Sequence, residues 1–241
     1  MNAVIIPNGK YNDAVALMND GKYEEAISAF EALDGYKDSE TKLLNVKCAY
    51  ASSLIQNDQY EKALTIFSEL DEAKSSYSKI AECEYEMATL CVQKGKYVYA
   101  YELFSKTVDY KDSKTQIDNI ELQYVAEKVN ASNVKDTFFF GSYEQDNNLD
   151  NGKEKIEWII LEKHGNRALV LSKYCLDYHT YHTSKEDVTW ETSEIREWLN
   201  TDFYKDAFST SQITIIETTN VHTEDTLLAK GGNDTFDKLF L

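Results

Sequence analysis

Gly21-Lys22-Tyr23-Glu24-Glu25-Ala26-Ile27-Ser28-Ala29-Phe30 decides the fold of the first half of this chain. The stretch returns as Asp58-Gln59-Tyr60-Glu61-Lys62-Ala63-Leu64-Thr65-Ile66-Phe67, and again as Gly95-Lys96-Tyr97-Val98-Tyr99-Ala100-Tyr101-Glu102-Leu103-Phe104. Tyr, Ala and Phe keep one register at a step of 37 residues, and Ser39, Ser76 and Ser113 follow in the same step. Self-similarity at a fixed period of this size is the sequence mark of stacked helical repeats.

Each repeat reads as an antiparallel helix pair. The pairs are 11–20 with 23–33, 39–57 with 60–71, and 76–94 with 97–108. Small residues such as Ala14, Ala51 and Ala88 face Ala26, Ala63 and Ala100, while Phe30, Phe67 and Phe104 fill the layer between units. A last helix over 112–130 would cover the open apolar face, as terminal caps do in solenoids. Asp38 or Ser39, and Asp112 or Ser113, are natural N-caps for the helices they precede. A single Pro among 241 residues suits long uninterrupted helices. Exposed Tyr residues such as Tyr99 and Tyr101 would suit a peptide groove, although packing is the plainer reading of every repeat residue.

From Thr137 the apolar period changes to two. Phe138-Phe139-Phe140-Gly141-Ser142-Tyr143 reads as a strand, 156–162 as a second, and 167–172 as its hairpin partner across the turn His164-Gly165-Asn166. Ser193 caps a helix with Ile195, Trp198 and Leu199 on its apolar face, and a second short helix is expected around 202–208. Residues 213–217 suggest a strand or a helix-to-strand connection, 231–234 a turn, and 238–241 the start of a hydrophobic element. The polar stretch 130–137 breaks the helical period and marks the domain boundary. The expected architecture is an all-α superhelix over 9–131, with units 10–37, 38–74, 75–111 and a cap helix 112–130. An α+β domain over 136–241 follows it.

Charge narrows the partners. The net charge is -17, and both halves are acidic: residues 1–134 carry 14 basic against 22 acidic side chains, and 135–241 carry 11 against 20. Nucleic acids and anionic membranes need basic patches to neutralise phosphate, and none is visible. No apolar run is long enough to span a bilayer, and there is no signal peptide. The apolar opening Val4-Ile5-Ile6-Pro7 reads as the tail of something longer. None of Cys48, Cys83, Cys91 and Cys175 forms a C-x-x-C pair, and buried thiols are the simplest expectation for all four.

Two resemblances add to this reading. The Gly21, Tyr23, Ala26, Phe30 pattern and its two returns resemble tetratricopeptide repeats, with a period of 37 rather than 34. Tyr36-Lys37-Asp38-Ser39 and Tyr110-Lys111-Asp112-Ser113 stand where the terminal Pro of a unit would be, and Ala73-Lys74-Ser75-Ser76 holds that place between them. That likeness implies a protein-interaction scaffold. Residues 136–241 carry F-G-S-Y, I-E-W-x-I-L, A-L-V-L-S-K-Y, T-W-E-T-S-E-I-R-E-W-L-N and G-G-x-D-T-F-D-K-L-F-L. They resemble a bacterial domain family of unknown function, itself distantly similar to sulfatase-modifying-factor and C-type-lectin-like folds. Members often follow helical repeats in secreted or surface-anchored proteins, behind a membrane helix, and continue past the final F-L. The resemblance implies an extracytoplasmic place for this chain, with the cytoplasm as the alternative, and trimmed ends. Sulfatase-modifying enzymes use active-site cysteines, and with Cys175 alone in this half that activity does not carry over.

Three constellations carry candidate chemistry. Asp146, Asn148, Asp150 and Glu157 place oxygen ligands at positions 1, 3, 5 and 12 of a calcium-type loop, with Asn151 where the turn Gly belongs and Glu157 inside a strand. A solvated loop turning at Asn151-Gly152 is the alternative. Cys175, His179, His182 and the distant His222 offer zinc-type donors, or a core thiol and surface histidines. Tyr178, Tyr181, Asp187, Trp190 and Glu191 form an aromatic and acidic belt suited to stacking on and hydrogen bonding a carbohydrate; Trp158 and Trp198 read as core. The sequence contains no G-x-S-x-G elbow, phosphate loop or G-x-G-x-x-G. The expected function is a non-catalytic binding or scaffold protein with no obligatory cofactor. The alternatives are a hydrolase or modifying enzyme with its site around Tyr178–Trp190, and a purely structural adaptor.

Overall fold

The structure is a computed structural model. It describes residues 2–71, 77–225 and 231–240, with side chains at 8–66, 68, 78–225 and 231–240. The chain divides into two compact units, residues 1–120 and 121–241. The division falls inside a helix, upstream of the polar stretch 130–137.

The first unit is all-α. Its helices are α1 (Asn2–Asn19), α2 (Tyr23–Glu31), α3 (Ser39–Gln56), α4 (Tyr60–Asp71), α5 (Tyr77–Gln93), α6 (Tyr97–Lys106) and the start of α7 (Ser113–Ala131). Each helix from α1 to α5 packs on the next, and the first helices of successive pairs also touch, α1 on α3 and α3 on α5. The turns inside the pairs need a left-handed residue, and Gly21, Asp58 and Gly95 supply it at φ of 72°, 60° and 68°. Asp58 bears the Cβ penalty of that conformation, and its carboxylate is held by Tyr60 Oη at 2.7 Å and Lys94 Nζ at 2.7 Å. Ala26, Ala63 and Ala100 are buried where helices cross, and Phe30 and Phe104 fill the layers. Full burial of each Phe stabilises the unit by roughly 1.5–3 kcal/mol. The side chain of Phe67 and the stretch Ala73-Lys74-Ser75-Ser76 lie outside the described residues.

The Asp38 and Asp112 carboxylates take part in ties between repeats. Asp38 makes no side-chain cap bond; its carboxylate accepts from Tyr11 Oη of α1. Asp112 likewise accepts from Tyr85 Oη of α5 at 2.5 Å and from Gln116 Nε2 at 2.9 Å. Lys37 and Lys111, both in the left-handed region, set their ammonium groups over the rings of Tyr11 and Tyr36, and of Tyr85 and Tyr110.

The cysteines also differ from expectation. Cys48 of α3 and Cys83 of α5 form a disulfide, Cys91 is buried outside it, and Cys175 is exposed. The sequence separation of 35 between Cys48 and Cys83 hides the pairing, because it is the contact of α3 with α5 that brings their Cα atoms to 6.0 Å. The helix α1 begins at Asn2 rather than at the expected residue 11, so the backbone of Val4-Ile5-Ile6-Pro7 is helical.

The second unit is α+β. The end of α7 leads to an antiparallel sheet of β1 (Thr137–Tyr143), β2 (Glu154–His164) and β3 (Arg167–Ser172), with β2 in the centre. Buried Glu121 of α7 accepts from Lys155 Nζ on β2 at 2.8 Å and from Gln212 Nε2. Lys163 Nζ caps the C-terminal end of α7 through the carbonyls of Asn130 and Ser132. The β1–β2 register slips between Phe139 and Ser142, around Gly141 at φ 73°.

A 3-10 turn at Trp190–Thr192 precedes α8 (Glu194–Trp198), which Ser193 caps by accepting from Arg196 N–H. The chain continues through a π turn (Leu199–Phe203) into α9 (Tyr204–Ala207), so one irregular helix replaces the two expected ones. Of the two alternatives for 213–217, the structure has the helix-to-strand connection and not the strand. Ser209 and Gln212 form a capping box that starts α10 (Thr210–Ile213), and the pairing strand is β4 (Thr219–Val221), antiparallel to β5 (Thr235–Asp237). Among the described residues, no helix is long and apolar enough to cross a membrane.

Candidate functional site

The loop between β3 and the 3-10 turn carries the densest set of exposed aromatic rings. Tyr174, Tyr178 and Tyr181 are exposed there, Tyr178 at 87%. The loop is anchored from below. Tyr143 Oη of β1 donates to Asp177 Oδ2 at 2.5 Å, and the Tyr178 N–H donates to Asp177 Oδ1 at 2.6 Å. Burial, and then the Asp177 carboxylate, push the Tyr143 phenol well above its ordinary pKa, so it stays a donor. The His179 ring stacks on Trp198 at 4.6 Å, and Trp198 and Tyr143 both lie on Phe203. Thr183 Oγ1 donates to Glu194 at 2.7 Å, and the Ile195 N–H donates to the Tyr181 carbonyl. The loop is thereby pinned to β1 and α8, and the Tyr178 ring faces water.

Two other residues of the expected belt, Trp190 and Glu191, are engaged elsewhere. Trp190 is 7% exposed and donates its indole N–H to Asp237 Oδ2 at 2.8 Å, so it is a core residue rather than a stacking face. Glu191 accepts from Asn233 Nδ2 at 3.0 Å, and Asp187 is exposed. Trp158 is buried, as expected, while Trp198 is half-buried.

Asp237 is a polar centre that sequence reasoning missed. Its buried carboxylate accepts from Trp190 Nε1, Thr235 Oγ1, and Arg196 through Nε and Nη2. Burial raises its pKa, but the donors together outweigh it, Arg196 first, and the group lies below its ordinary value. The 47 residues separating Trp190 from Asp237 left no local signal.

The oxygen ligands of the calcium-type spacing are not gathered. Glu157, on β2, is ion-paired with Lys173 Nζ at 2.8 Å, and Asp146, Asp150 and Glu157 form no group within ligand distance of one another. Asp146 instead lies with Glu144 and Glu154, with ligand atoms within 4.8 Å of one another. These carboxylates are satisfied by the Asn148 N–H, the Asn151 amide and the Gln145 N–H. The zinc-type set is also dispersed: the Cys175 thiol meets the Asp177 carbonyl, His179 stacks on Trp198, His182 lies 3.5 Å from Glu194 and His222 pairs with Asp234.

Residues 165–241 match a family model. That family is described as Domain of unknown function (DUF6273). The matched span opens at the β2–β3 turn and contains the aromatic loop, Trp190 and Asp237. No curated protein matches the chain, and neither does any solved structure.

Proposed function

We propose that this chain is a non-catalytic binding protein. The helical unit, read as tetratricopeptide-like, is a scaffold for a protein or peptide partner. The α+β unit, read as lectin-like, binds a ligand through the loop that bears Tyr174, Tyr178 and Tyr181, and a carbohydrate suits it best.

The observation that carries this reading is Tyr178 standing in water at 87% exposure on a loop pinned by Asp177, His179 and Thr183. Large aromatic surface held out on an ordered segment is pre-organised for contact, because little side-chain and loop freedom remains to be lost on binding. A Tyr ring offers an apolar face for the C–H face of a sugar and a hydroxyl for its edge. Asp187, exposed in the same loop, offers an acceptor for hydroxyl groups. Binding of the whole chain to an immobilised glycan panel tests the reading. Selective retention that Tyr178→Ala abolishes supports it, and uniform absence of retention argues against it.

A further inference from the structure

The three helical pairs are not equivalent at the register positions that tie one pair to the next. In the first pair, Tyr11, Tyr36, Lys37 and Asp38 form a clamp: a phenol on a carboxylate, with an ammonium over both rings. In the third, Tyr85, Tyr110, Lys111 and Asp112 repeat it. The positions at the same step in the middle are Cys48, Ala73, Lys74 and Ser75, so both the phenol and the carboxylate are missing from the sequence there. The position that replaces Tyr is one half of the Cys48–Cys83 disulfide. Cys83 in turn occupies the register of Val46 and Ile120, both buried in the core.

We propose that the Cys48–Cys83 disulfide is a redox-dependent lock that takes the place of the Tyr–Asp clamp in the middle helical pair, so that this pair is fully secured only in an oxidising environment. The Cα separation of 6.0 Å falls in the range that disulfides span without backbone movement. Cys48 is half-buried and Cys83 buried, so Cys48 is the sulfur that an outside reagent reaches first.

Closure needs an oxidant, and a disulfide-bearing one suffices. The Cys48 thiolate attacks that S–S bond and releases one thiol, leaving a mixed disulfide. The Cys83 thiolate then attacks the Cys48 sulfur and releases the second thiol. Two protons and two electrons pass from the cysteine pair to the oxidant. Cross-links of this kind persist outside reducing compartments.

The test uses the full chain after incubation with oxidised glutathione. Alkylation in denaturant without reductant should leave Cys48 and Cys83 unmodified, and trypsin should release peptide 48–62 joined to peptide 80–94. Reduction should then lower Tm by roughly 10 °C, from the loop-closure entropy of a cross-link this far apart in sequence. Amides of α3 and α5 should lose hydrogen-exchange protection before those of β1–β3. The Cys48→Tyr, Cys83→Val double variant should show no response to reductant. Four alkylated cysteines after oxidation would overturn the proposal. So would a reduced wild-type chain whose Tm stays within about a degree of the oxidised one.

Discussion

Tyr85 donates its hydroxyl to the Asp112 carboxylate at 2.5 Å across 27 residues, and Tyr11 meets Asp38 across the same interval. Each bond ties the first helix of one pair to the segment that opens the helix after that pair. The two partners sit at one register, so the tie is a property of the repeat rather than of a single contact. Tyr50 with Glu24, and Tyr99 with Glu61, add further bonds between units.

Removing the hydroxyl alone should loosen this tie while leaving the ring packed on Phe104. Tyr85→Phe is expected to lower Tm by about 2–4 °C. The hydrogen bond from Tyr85, then that from Gln116, holds the Asp112 carboxyl below its ordinary value of 3.8. A depressed carboxylate stabilises the folded state above its unfolded pKa, and that contribution disappears as pH falls through the folded pKa. Stability should therefore fall below about pH 4 in the wild type, and less steeply in Tyr85→Phe. Urea melts between pH 2 and pH 6 read the difference.

Asp237 should be the most sensitive polar position of the second unit. Asp237→Ala leaves the Trp190 indole, the Thr235 hydroxyl and the Arg196 guanidinium without their acceptor. Breaking a buried pair from one side costs about 3–5 kcal/mol. Denaturant unfolding followed by tryptophan fluorescence should show a loss of that size. A loss below about 1 kcal/mol would contradict the placement of Trp190 in the core.

Gly141 should tolerate no side chain. Its φ of 73° is in the left-handed region, and a Cβ would come within 2.6 Å of Phe208 Cε1 and 2.9 Å of the Ala207 carbonyl oxygen. Gly141→Ala combines a backbone penalty of about 1–2 kcal/mol with displacement of Phe208, which packs on Phe140 and Trp158. A loss of at least 2 kcal/mol in chemical denaturation is expected. Gly152→Ala, with open space around its Cβ, should lose about 1 kcal/mol.

The helices α2 to α7, and the second half of α1, were legible because apolar residues recur at helical spacing and the step of 37 repeats the Tyr, Ala and Phe positions. The β2–β3 hairpin was legible from two alternating runs around Gly165. What the sequence concealed was long-range pairing. Cys48 and Cys83 carry no spacing signal, and the burial of Trp190 depends on Asp237, far along the chain. The Asp38 and Asp112 carboxylates looked like caps because their tyrosine partners lie in other helices. The run 213–217 has strand-like composition, but the Ser209–Gln212 capping box closes a helical turn just before it. In the candidate site, the exposed Tyr178 was legible as an aromatic in a polar loop. The anchors beneath it, Tyr143 and Trp198, were not, because each belongs to another element.

The binding account rests on Tyr178 as a ligand contact that is dispensable for folding. With its side chain in water, Tyr178→Ala should change unfolding stability by no more than about 0.5 kcal/mol. The most direct measurement is a thermal-shift titration of the wild-type chain and Tyr178→Ala with the same oligosaccharides. A ligand that binds only the folded state raises Tm with concentration by mass action. The account predicts a saturable rise for at least one glycan in the wild type and its loss in a variant whose unliganded Tm is unchanged. Either no rise with any glycan, or an equal rise in both proteins, would contradict it.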